Sequence, residues 1–256
     1  MDGLAAGAGL DRHALAVVSI AGNSLDVLGA LYLAYDLLGG EHGPLRTLTR
    51  SVTYGLLFGV GYGIALGPVF GIASGAAHGL TLGWEYSRAS RGKPELGFGG
   101  YALASAIRGL GFGLGAAYSF DWIFATLFGL LSTAGQVVAY RVGMRPTLDY
   151  RPSTRPRLTK RQFWGAVNRT VGYMFAASIS GAVAHERAEG VAFGLKAGLA
   201  IGAVTIVAGA CAPLIEWIAD HVPERRMGVF GIVLLLIGFG LQSVQYWVVV
   251  LNVPLQ

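Results

Sequence analysis

The few side chains able to do chemistry in this chain sit inside apolar stretches. Asp26 follows Asn23 by three residues, which places both on one face of a helix. His78 and Lys196 each interrupt an apolar run, and Gln242 and Gln245 interrupt the last one. A carboxylate, an imidazole and an ammonium held away from water can relay a proton or hold an ion, and amides can line the path. Rising about 1.5 Å per residue from the expected outer ends puts Asp26 about 18 Å deep, His78 about 13 Å and Lys196 about 9 Å. An Asp26–Lys196 or Asp26–His78 pair is therefore within reach of long side chains. The competing reading is a buried pair that only sets helix register. Lys196 by itself would extend its ammonium outward.

Other polar residues carry less. Arg50 and Arg169 are expected to reach head-group phosphates, and Asp36, Glu85 and Glu216 to be solvated, with Glu85 able to pair with Arg88. Gln136 reads as a hydrogen bonder between helices. His221 with Asp220 and Glu216 makes a poor metal site, since it lies beside solvent without a second histidine. No metal and no cofactor is expected. Cys211 is the only cysteine, which excludes a disulfide within the chain. No phosphate loop, zincin motif, haem-ligating pair or dinucleotide fingerprint occurs, and the chain is not expected to be an enzyme.

One short segment points elsewhere. Ile72-Ala73-Ser74-Gly75-Ala76-Ala77-His78-Gly79-Leu80 resembles the serine motif of rhomboid intramembrane proteases. The resemblance implies Ser74 as nucleophile and a histidine base on a later span, for which His185 is the candidate. It covers nine residues, has Ile72 where the family has its first glycine, and places His185 in an expected loop. Any glycine-spaced helix containing a serine produces such a match.

The elements that position these residues are announced by glycine. Gly55, Gly59, Gly63, Gly67, Gly71, Gly75, Gly79 and Gly83 stand four apart, and Gly190, Gly194, Gly198 and Gly202 repeat the spacing. Each glycine weakens a helix in water by about 1 kcal/mol relative to alanine, whereas in a bilayer small residues let helices pack through their backbones. Composition agrees, with 54% hydrophobic and 13% charged residues and a mean hydropathy of +0.56. The sequence predicts an all-α, polytopic membrane protein with spans near 13–38, 47–66, 69–88, 102–119, 122–141, 163–184, 190–213 and 228–250. The first is expected to be retained rather than cleaved. Gly67-Pro68 divides 50–91, and the stretch Tyr118 to Trp122 divides 102–141.

An internal match supports this layout. Arg50-Ser-Val-Thr-Tyr54 matches Arg169-Thr-Val-Gly-Tyr173 at an offset of 119, and Gly71, Gly75, Gly79 and Gly83 fall on Gly190, Gly194, Gly198 and Gly202. The expectation is two tandem four-helix repeats with glycine-zipper hairpins, 1–120 and 121–256. The net charge of +5 gathers in a few loops, chiefly the basic segment 143–162, which is unlike a nucleic-acid footprint. That segment is expected in the cytoplasm against anionic lipid head groups, in a plasma (inner) membrane. The function read from all this is a small-solute or ion transporter or channel with a polar path at the repeat interface. The alternative is a non-transporting scaffold or assembly subunit, forming a homo-oligomer or binding a membrane partner through glycine faces.

Overall fold

The computed structural model describes residues 12–37, 46–90, 93, 96–142, 160–185, 187–221 and 224–251. Among them the chain forms eight helices: α1 (Arg12–Leu37), α2 (Arg46–Leu66), α3 (Pro68–Ser90), α4 (Phe98–Ser119), α5 (Trp122–Arg141), α6 (Lys160–Ala184), α7 (Arg187–His221) and α8 (Glu224–Val250). The basic segment expected at 143–162 lies almost wholly outside the described residues, as do the side chains of Glu216, Asp220 and His221.

The two expected breaks have local causes. Gly67 takes φ +102°, a conformation that costs a residue with a Cβ, and Pro68 then opens α3. Asp121 caps α5 by accepting from the backbone N–H groups of Ile123 and Phe124, both at 2.8 Å.

Four helices carry segments long and apolar enough to cross a membrane: Ala14–Leu37, Trp122–Arg141, Ala188–Cys211 and Arg226–Val250. The other expected spans, on α2, α3, α4 and α6, are diluted by glycine and by polar residues that turn inward. Thr53, Ser74, His78, Ser105, Arg108 and Ser180 are all buried, while Ile64, Ile72, Leu80, Leu103, Leu110 and Phe175 are exposed. Apolar exposure on this scale marks a surface that meets lipid or a partner.

By their contacts the helices fall into two compact units. α1 packs with α8, and Arg46–Val222 forms a second unit. In the terminal pair the seam is bare backbone. A Cβ added to Gly22 would lie 2.8 Å from the Gly238 carbonyl, and one on Gly231 would lie 2.6 Å from the Gly29 carbonyl. Glycines seven apart on both helices therefore face one another along one stripe.

In the second unit each helix packs on the next, and α2 closes the cycle against α7. Aromatic rings fill the middle. Phe112 of α4 meets Tyr62 at 5.7 Å, Phe128 at 5.4 Å and Tyr173 at 5.1 Å between ring centroids. The α2–α3 and α6–α7 hairpins are held by the glycine rows. A Cβ on Gly75 would come within 2.5 Å of Gly59 Cα, one on Gly71 within 2.7 Å of Gly63 Cα, and one on Gly79 within 2.8 Å of Gly55 Cα. On α7, a Cβ on Gly194 would come within 2.5 Å of Ser178 Cα, and one on Gly198 within 2.5 Å of Met174 Cα.

The two sides of the α2–α3 seam are unequal. The same construction on Gly55 and Gly63 of α2 finds its nearest neighbours at 3.5 and 3.9 Å, which is ordinary contact. Gly75→Ala should thus force the helices apart and cost about 1–3 kcal/mol. Gly63→Ala should leave stability unchanged or raise it by up to about 1 kcal/mol through helix propensity. Thermal unfolding of both variants in detergent checks the difference, and equal losses would contradict it.

Candidate functional site

The most demanding group in the six-helix unit is Arg108, 2% exposed and about 15 Å from either end of α4. A guanidinium cannot shed its charge, so its N–H groups need acceptors where water is absent. α3 offers two, four residues apart on one face. Arg108 Nε donates to Thr81 Oγ1 at 3.0 Å, and Nη2 donates to Glu85 Oε1 in an ion pair. α5 offers the third, with Nη1 donating to Gln136 Oε1 at 3.2 Å. The acceptors are themselves oriented. Thr81 donates to the Ala77 carbonyl at 2.9 Å, and Gln136 Nε2 donates to the Ser132 carbonyl at 3.2 Å. One side chain thus ties α3, α4 and α5 together.

Gln136 also lines a cleft of about 240 Å³ between α4, α5 and α6. Its polar lining comprises Tyr101, Ser132, Gln136, Asn168, Arg169 and Tyr173, and it contains no carboxylate. Arg169 donates Nε to the Gly165 carbonyl at 3.3 Å, and no described carboxylate pairs with it. Ser132 Oγ is buried without a hydrogen-bond partner among the described residues. Val138, Val142 and Val171 supply an exposed apolar margin. The site is rich in donors and poor in negative charge.

The residues singled out by sequence are distributed otherwise. Asp26 accepts a hydrogen bond from Gln242, and Gln245 accepts one from Ser19 at 3.1 Å, so these groups join α1 to α8. Asn23 is exposed, and so is Lys196 on α7. His78 belongs to the aromatic interior, stacked on Phe58 at 4.4 Å and near Phe112 at 5.3 Å. Its Nδ1 lies 2.8 Å from the Ser74 carbonyl, which only accepts, so the proton sits on Nδ1. Ser74 is fully buried and donates to the Gly111 carbonyl at 3.4 Å, while His185 bridges to Asp121 at 3.2 Å. The serine and the histidine suggested by the protease-like motif are thus engaged by different partners.

Two expectations are corrected. Glu85 is neither solvated nor paired with Arg88 but pairs with Arg108, because α4 presents a cation at its depth. Arg50 does not extend outward but is buried, 6% exposed. Gln136 does bond between helices, as its position suggested. Sequence reasoning passes over Arg108, although an arginine at the centre of an apolar stretch is itself a signal. No protein-family model matches the chain, and no curated protein or solved structure does.

Glu85→Gln would leave the buried guanidinium without a counter-charge and should cost about 3–5 kcal/mol. Replacing the pair together, Glu85→Leu with Arg108→Met, should recover most of that loss, because neither charge is then stranded. A double-mutant cycle measured by unfolding in detergent checks this, and additive losses would deny the coupling.

Proposed function

We propose that this chain is an eight-span membrane protein of two tandem four-helix repeats that carries small solutes or ions. Every helix is 20 residues or longer, and 20 residues rise about 30 Å, the thickness of the hydrocarbon core. The exposed faces are apolar even on the helices diluted by glycine, which favours lipid around them. The glycine-zipper hairpins support duplication. Gly75 on Gly59 and Gly79 on Gly55 in one hairpin correspond, at an offset of 119, to Gly194 on Ser178 and Gly198 on Met174 in the other. On this reading the basic segment 143–162 faces the cytoplasm of an inner membrane.

The observation that carries the transport reading is the buried Arg108–Glu85 pair adjoining a cleft. Charges at membrane depth are costly and mark substrate or ion pathways. Gln136 joins the pair to the cleft, and Phe112, four residues after Arg108 on α4, belongs to the aromatic cluster with Tyr62 and His78. Such an arrangement suits a carrier open to one face, with the rings as its closed gate and the repeats rocking to exchange access. His78 then belongs to the gate. Asp26, Gln242 and Gln245 tie the terminal pair, and Asn23 and Lys196 are left outside the path.

The second reading is a non-transporting scaffold, with oligomeric or membrane partners. Its support is the ring interior, which is filled by aromatic side chains rather than open.

The two differ in accessibility beyond the rings. In a Cys211→Ala background, Gln136→Cys in sealed vesicles should react with a membrane-impermeant thiol reagent from the cleft side. A carrier should also expose Ser74→Cys to the opposite side in a fraction of molecules. Reaction of neither cysteine, with denatured controls reacting, would remove the transport reading and leave the scaffold.

A further inference from the structure

We propose that the cleft between α4, α5 and α6 binds an anionic head group carried on an apolar body, with Arg169 as its charge partner. This rests on the reading of the chain as a membrane protein, but not on transport, because binding can be measured on the purified protein.

Charge comes first. Arg108 is satisfied by Glu85, Thr81 and Gln136, whereas Arg169 has only a backbone carbonyl at 3.3 Å and no carboxylate among its described partners. The cleft beside it holds Tyr101, Ser132, Asn168 and Tyr173 and no acidic residue. Ser132 is 3% exposed, and its Oγ lacks a partner there. Hydroxyls, an amide and a guanidinium together suit phosphate or carboxylate oxygens. The exposed margin of Val138, Val142 and Val171 suits a hydrocarbon body, which a bare inorganic ion does not have.

The space is kept open by residue choice. Gly135 and Gly172 both line the cleft from helix interiors, and a Cβ added to either would meet nothing within 4 Å. Glycine weakens a helix relative to alanine, and at these two positions no close helix contact requires it.

Such an anion could come from the bilayer, as a lipid head group, or from solution, as a free amphiphile. Native mass spectrometry of the full chain in detergent separates the sources. The probes are phosphatidylglycerol and hexyl phosphate, with diacylglycerol and hexanol as uncharged controls. The wild type should retain at least one anionic probe about tenfold better than its uncharged control. Arg169→Gln should erase that preference and Arg169→Lys keep part of it. Gly135→Leu, whose side chain enters open space, should exclude the bound anion without loss of thermal stability. Phosphatidylglycerol that resists displacement by hexyl phosphate identifies a lipid, and ready displacement identifies a free amphiphile. Retention unchanged in both Arg169→Gln and Gly135→Leu, or no preference for either anion in the wild type, overturns the proposal. If Arg169→Gln does not fold, Gly135→Leu decides.

Discussion

Helices that meet through bare backbone leave no room for side chains in their seam. Gly71, Gly75 and Gly79 press on α2, and Gly190, Gly194 and Gly198 press on α6, at distances where an added Cβ would overlap main-chain atoms. Everything bulky must then leave the seam. Aromatic rings turn to the middle of the six-helix cycle, where Phe112 gathers Tyr62, Phe70, Phe128 and Tyr173 around it. Many leucines and isoleucines, Ile64, Ile72, Leu80 and Leu110 among them, turn outward. The close approach also brings backbone carbonyls within reach of hydroxyls on a neighbouring helix, as Thr133 of α5 shows by donating to the Ser105 carbonyl of α4 at 3.4 Å. Buried polar groups and exposed apolar ones thus stand on helices whose glycines meet neighbouring backbone.

Against that packing, Arg108 is the one charge that dictates its surroundings. A guanidinium at the centre of α4 requires acceptors at the same level on its neighbours, and α3 and α5 supply them. The requirement links three helices at one level.

How much of this was legible in the sequence depends on the range of the cause. The breaks at Gly67-Pro68 and at Asp121 are local turn chemistry, and both were readable from a few residues. The glycine spacing was visible too, because it is written along single segments. The partners of Arg108 were not legible. Thr81 and Glu85 precede it by 27 and 23 residues, and Gln136 follows it by 28, so only the packing of α3, α4 and α5 brings them together. Asp26 was legible as a costly group but not as the partner of Gln242, which lies 216 residues away. The inward face of His78 was likewise hidden, since its walls come from α2 and α4 as well as its own helix.

The pairing of α1 with α8 has a consequence for the order of biosynthesis. Arg46–Val222 forms its own unit, so all six of its helices leave the ribosome before α8 exists. At roughly 5–20 residues per second, the stretch separating Leu37 from Glu224 takes on the order of 10–40 seconds to make. Through that interval α1 stands without its mate, its Gly22 and Gly29 stripe facing something other than Gly238 and Gly231. Asp26 meanwhile lacks the amide that will hold its carboxylate. Of these eight helices, the one made earliest is therefore among the last to meet its partner.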